Sequence, residues 1–145
     1  MYPYFAYAAE SGTVQLGYAL LAGSSATSSS KVVSITNGWQ VYTNMFDAIV
    51  DAAHAAVEKA GAQGLELVVS ENGWPSGGRA TVATVENAAA YNNNVVRHVS
   101  SGAGKAVETY LFAMFNENQK PEGTEQHFGL FQPDMTAVYP VDFAA

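Results

Sequence analysis

The chain has 145 residues, a length that suits one domain or part of a larger one. Six basic residues stand against 13 acidic ones for a formal charge of -7, with no stripe of Lys or Arg to neutralise phosphates, which excludes nucleic acid and anionic membrane as expected partners. Apolar residues make up 48% and aromatics 12%, which predicts a folded chain, while the absence of cysteine removes disulfide, thiolate and Cys-zinc chemistry.

The opening stretch MYPYFAYAAE lacks the basic region and small-residue cleavage site of a signal peptide and reads as an alternating aromatic strand, as though the chain begins inside a fold. The following SGTVQLGYALLAGSSATSSS, richest in Ser and Gly from Gly23 to Ser30, reads as a surface loop. VVSI, residues 32 to 35, suits a short strand, and Asn37-Gly38 is a strong turn signal. Next, TNMFDAIVDAAHAAVEKAG sets Phe46, Ile49, Val50, Ala53, Val57 and Ala60 on one face, which predicts a helix capped by Thr43 or Asn44 and stopped by Gly61. LELVVS then reads as a buried strand. From Thr84 to Val99 the spacing of Val85, Ala88, Ala89, Asn92, Val95, Val96 and Val99 predicts a second helix, closed by Ser-Ser-Gly. VETYLFAMF, Val107 to Phe115, is the last regular run, followed by a long C-terminal loop. The order strand, helix, strand, helix, strand implies an α/β fold with parallel strands.

In such folds the loops at the C-terminal strand ends form the binding face. Two strands here run into glutamate, LELVVS into Glu71 and ETYLFAMFN into Glu117. If those strands pair as neighbours, both carboxylates emerge on one rim with Trp74, Phe115 and either Tyr2 or Tyr4. Carboxylates among aromatics suit a sugar, because rings stack on the C–H faces of pyranoses while acids accept from hydroxyls and perform glycosidic chemistry. Each residue also has a plainer reading: Glu71 as a capping or ion-paired group, Glu117 as half of a salt bridge with Lys120, and Trp74 as a plug. Its neighbours Pro75, Gly77 and Gly78 favour an exposed, rigid Trp74 ring in contact with substrate. His54, His98 and His127 make no metal-ligand spacing, and Ser70 and Ser76 lack the G-x-S-x-G elbow. The glycines form no phosphate loop, and no N-x-[ST] acceptor occurs.

The runs YPYFAY, YTNMFDAIVDA, VVSENGWPSGG, AAAYNNNVV, ETYLFAMFNENQK and HFGLFQPD, in that order, resemble plant endo-β-1,3-glucanases of glycoside hydrolase family 17, from Tyr2 to Phe143. The resemblance implies a (β/α)8 TIM barrel of which this chain supplies only strands six to eight with their helices. Residues 1–145 are then the C-terminal portion of a single catalytic barrel. It implies a retaining mechanism in which Glu71 matches the nucleophile. Asn72 departs from the commonest pattern, S-E-S-G-W-P-S. By the same resemblance Glu117, Lys120 and Glu125 form the polar cluster that binds sugar hydroxyls and tunes the nucleophile, Tyr2 matches a tyrosine of the sixth strand, and Phe115 matches a stacking residue. The family's acid/base glutamate, in a T-V-G-N-E motif, has no counterpart here, so the fragment alone is expected to be inactive. The resemblance further implies no cofactor, a β-glucan polysaccharide partner (callose or fungal wall glucan), a monomer, and a secreted, extracellular or cell-wall location with any signal peptide upstream. Two alternatives stay open: a non-catalytic carbohydrate-binding fragment, and a mixed-linkage 1,3-1,4-β-glucanase.

Overall fold

The computed structural model describes residues 4–24, 35–37, 39–78, 81–102 and 104–144. Their elements, in chain order, are helices α1 (Tyr4–Glu10) and α2 (Leu16–Ala19), strands β1 (Ile35–Asn37) and β2 (Gln40–Tyr42), helix α3 (Met45–Lys59), strand β3 (Val68–Asn72), helix α4 (Val85–Ser101) and strand β4 (Glu108–Leu111). Single 3-10 turns cover Ala22–Ser24 and Thr124–Gln126.

The two amphipathic helices form where their periodicity and caps place them. Asn44 caps α3, its side chain accepting from the Asp47 amide, and Thr84 does the same for α4 through Asn87. Gly102 ends α4 in the left-handed conformation that glycine adopts without penalty. Between the helices, β3 pairs with β4 in parallel, so the consecutive strand, helix and strand make one α/β unit with the expected neighbours. The core between sheet and helices includes Phe46, Val50, Val69, Trp74, Tyr91 and Val95.

Three expectations fail. From Tyr4 the opening segment is helix α1, not strand; residues 1–3 lie outside the described residues. The tyrosines suggested alternation, but Ala6, Ala8 and Ala9 favour a helix, and Phe5, Ala6 and Ala8 bury together against the core. The parallel sheet therefore has two strands among the described residues rather than three, and β1 pairs with β2 as a separate antiparallel hairpin. The stretch read as a surface loop contains α2 and buries Tyr18, Ala19, Leu20 and Leu21, because apolar side chains outweigh the flanking Gly and Ser. Its Ser-rich part, residues 25–34, lies outside the described residues, as does most of VVSI.

Helix α4 is tied to distant segments by three consecutive asparagines. Asn92 donates to the Tyr139 hydroxyl at 2.7 Å, Asn93 to the Pro140 carbonyl at 3.0 Å, and Asn94 to the Leu20 carbonyl at 2.8 Å. These bonds hold the C-terminal segment and the α2 region onto one helix.

A charged contact links α3 to α4. Asp47 faces His98 Nε2 at 2.7 Å and accepts from Asn44 Nδ2 at 2.8 Å. Partial burial pushes the Asp47 carboxyl up, but the hydrogen bonds of His98 and Asn44 outweigh it and hold the group below the ordinary aspartate value of 3.8. A depressed carboxyl stabilises the fold fully above the unfolded value and loses that contribution as pH falls through the folded one. We expect stability to drop between about pH 5 and pH 3 more steeply in the parent protein than in Asp47→Ala. Parallel urea titrations across that range measure this, and identical slopes would refute it.

Candidate active site

Glu71 stands on the C-terminal half of β3, one residue inside the strand end rather than in the loop beyond it, and its side chain is exposed. The next residue is buried Asn72, whose carbonyl accepts from the Phe112 amide at 2.8 Å just past the end of β4. At Gly73 a Cβ would lie 1.9 Å from the Phe112 carbonyl oxygen, so only glycine lets the two strand ends approach this closely. The sequence ENG thus joins the end of β3 to the end of β4.

The long run VETYLFAMF stays in regular strand only as far as Leu111. Beyond it the chain pairs with the C-terminal segment instead: the Ala113 amide donates to the Phe128 carbonyl, and the Asn116 amide to the Phe131 carbonyl at 2.8 Å. This second pairing carries Glu117 and the turn after it back over the sheet end. The Glu117 amide donates to the Gln126 carbonyl, and Gln126 Nε2 donates to the Lys120 carbonyl at 2.6 Å, so the two loops brace each other.

Lys120 is the centre of the resulting cluster. Its Nζ lies 2.7 Å from Glu117 Oε2 and 3.9 Å from Glu125 Oε2. The same nitrogen sits 5.6 Å from the centre of the Phe112 ring, within the range at which a cation is attracted to an aromatic face. The Glu117 hydrogen bond, working against desolvation and joined by the charges of Glu117, Glu125 and Glu71, raises the Lys120 pKa above its ordinary value. The structure therefore brings Glu71, Glu117, Lys120 and Glu125 into one electrostatic group at the strand ends. Exposed pairs of this kind add little to stability; their use lies in placing fixed donors and acceptors on a rim.

Other expected site residues fare differently. Trp74 is fully buried, its ring 5.3 Å from that of Tyr91 and its Nε1–H donating to the Val82 carbonyl at 3.0 Å. The expectation of an exposed ring in contact with substrate is therefore corrected: the tight WPSGG turn folds the indole inward, where both its apolar body and its N–H are satisfied. Phe115 is half-buried, with its ring against Phe131 at 6.4 Å. Tyr2 lies outside the described residues. Phe112, the aromatic beneath Lys120, was missed by the sequence reading. Both Phe112 and Phe115 follow the same strand, and only the break after Leu111 decides which one meets the lysine. Among the described residues no group of three or more His, Asp or Glu could hold a metal ion, and no helix is long and apolar enough to cross a membrane.

An exposed carboxylate at a parallel strand end, beside a lysine shared among further carboxylates, suits polyhydroxylated ligands and acid-base or nucleophilic chemistry on them. The family model described as Glycosyl hydrolases family 17 matches residues 1–143. The chain belongs to this family. The Hordeum vulgare protein GVI, by name a candidate glucan endo-1,3-beta-glucosidase, is 64% identical over 149 residues, spanning 100% of this chain and 44% of that relative. Lichenase-2 of Hordeum vulgare is 46% identical over 146 residues, covering 99% of this chain and 44% of its own length. A solved structure described as one of two plant beta-glucan endohydrolases with distinct substrate specificities superposes with a TM-score of 0.82 at 47% identity, covering 99% of this chain and 45% of that one. The family 17 chain in hand thus spans less than half the length of these relatives.

Proposed function

We propose that this chain carries the nucleophile-bearing C-terminal portion, residues 1–145, of a retaining endo-β-1,3-glucanase. In this reading β3 and β4 are the seventh and eighth strands of a (β/α)8 barrel, and the acid/base carboxylic acid comes from the rest of the barrel. The observation that supports it is the placement of Glu71, exposed at the end of β3 within reach of the Lys120 charge.

The Glu71 carboxylate attacks the anomeric carbon of a glucosyl unit while the acid, outside this chain, protonates the departing glycosidic oxygen. The same group then deprotonates a water that displaces Glu71 from the glycosyl-enzyme, restoring both carboxyl groups. Glu117, Lys120 and Glu125 bind sugar hydroxyls around the reacting unit, and Phe112 or Phe115 offers it an aromatic face. No cofactor takes part. Alone, the 145-residue chain lacks the proton donor and hydrolyses no laminarin. The full-length protein is a secreted monomer acting on wall β-glucan, and the lichenase relative makes mixed-linkage glucan the substrate to compare with laminarin.

The test is the stereochemistry of the products. Proton NMR during laminarin hydrolysis by the full-length protein is expected to show the β-anomer of the new reducing end first, with the α-anomer growing in only by mutarotation. Initial release of the α-anomer would refute a glycosyl-enzyme on Glu71. Laminarin binding without any cleavage would favour the carbohydrate-binding reading instead.

A further inference from the structure

The pairing of β3 with β4 is not regular. Val69 stands opposite Thr109 and Asn72 opposite Leu111, so β3 advances three residues while β4 advances two. The extra residue falls at Ser70 or Glu71 and has a consequence for which way the carboxylate faces. Side chains alternate along a strand, so a regular β3 with Val69 buried would also bury Glu71 and expose Asn72. The observed order is the reverse: Ser70 and Glu71 are both exposed, while Val69 and Asn72 are both buried. The bulge turns Glu71 out of the protein interior, as bulges beside active sites commonly re-aim a side chain.

Burying Asn72 costs free energy unless its amide is satisfied. Its Oδ1 accepts from the Tyr91 hydroxyl at 2.5 Å. Its Nδ2 has no hydrogen-bond partner among the described residues, so the Tyr91 bond is the described side-chain tie that orients this amide. Tyr91 is itself fully buried on α4, its ring held between Phe5 and Trp74. Burial raises its phenol well above the ordinary value, outweighing the opposing effect of the Asn72 bond, so the group stays a donor.

Resting on the reading of Glu71 as nucleophile, we infer that Tyr91 is a positioning residue: through its hydrogen bond to Asn72 it holds the β3 bulge that presents Glu71 to substrate. Tyr91 touches no substrate itself. Its ring locks the hydroxyl, the hydroxyl locks Asn72, and Asn72 fixes the parity of the residue before it. Without the bond the strand can relax toward regular pairing, which draws the Glu71 carboxylate away from the anomeric carbon. Binding by the Lys120 cluster is expected to change less than the chemical step, because Glu117, Lys120 and Glu125 stand on the loop from Glu117 to Gln126 rather than on β3 itself.

The experiment compares Tyr91→Phe, Asn72→Ala and the double variant in the full-length protein, with laminarin kinetics and the rate at which a fluoroglucoside labels Glu71. Tyr91→Phe keeps the ring and is expected to lower kcat roughly ten- to a hundredfold with KM within about twofold, and to slow labelling in parallel. Asn72→Ala is expected to match it, and the double variant to be no worse than either, since both remove one interaction. Parent-like kcat in Tyr91→Phe overturns the inference, as do losses that multiply in the double variant. A fall in kcat accompanied by an unchanged labelling rate also overturns it. Glu71→Gln serves as control: if that variant keeps its activity, the nucleophile reading falls and the positioning role with it, whereas an inactive control beside a parent-like Tyr91→Phe removes only the positioning role.

Discussion

Replacing Glu71 by glutamine in the full-length protein is expected to lower kcat on laminarin by about ten-thousandfold or more, the scale of loss seen when a residue that forms a covalent intermediate is removed. The amide has the shape of the carboxylate but no charge with which to attack carbon. Because the side chain is exposed, the change leaves folding stability within about 0.5 kcal/mol, so lost activity cannot be ascribed to lost fold. Glu117→Gln is expected to cost less than Glu71→Gln, because in the proposed reading Glu117 orders Lys120 and meets sugar hydroxyls but forms no covalent bond to the sugar. Initial rates on laminarin, with circular dichroism of each variant, check this. Equal losses at both positions would leave the division of roles without support.

The second large effect is on stability. Trp74→Ala is expected to destabilise the protein by about 3 to 5 kcal/mol, from lost packing and the cavity left beside Tyr91. Trp74→Phe, which keeps an aromatic ring but loses the indole N–H, costs about 1 kcal/mol from the hydrogen bond together with some lost volume. Urea unfolding followed by far-ultraviolet circular dichroism measures both. Unchanged midpoints with weakened laminarin binding would instead return the indole to the substrate.

Much of this arrangement was legible in the sequence. Thr43 or Asn44 announced the start of α3, because a cap needs a short polar side chain just before an apolar period, and the apolar period beginning near Thr84 announced α4; both signals are local. Adjacency of β3 and β4 followed from the helix between them, since a crossover of that length commonly returns the chain beside its own strand. The gathering of Glu71 with Glu117 and Lys120 needs that adjacency together with the pairing of Ala113 and Asn116 to the C-terminal segment, which the run VETYLFAMF does not mark. What stayed hidden depends on tertiary contacts. Tyr4 to Glu10 looked like alternating aromatics, and its burial against the core selected the helix that its alanines also favour. Trp74 beside Pro75 and two glycines looked exposed, yet the same turn chemistry lets the chain fold the ring inward over Tyr91. The bulge in β3 leaves no mark on the pattern LELVVSEN, because an extra residue is defined by the partner strand. Without it, simple alternation from Val69 would have placed Glu71 in the interior.

The central claim, that β3 presents Glu71 as the nucleophile of a retaining glucanase, is tested most directly by trapping the intermediate. Treating the full-length protein with a mechanism-based fluorinated β-glucoside, then mapping peptides by mass spectrometry, is expected to find one glucosyl adduct, on the Glu71 side chain within VVSENGWPSGG, and none in Glu71→Gln. An adduct on Glu117 or Glu125, with Glu71 unmodified in a protein that hydrolyses laminarin, would contradict it.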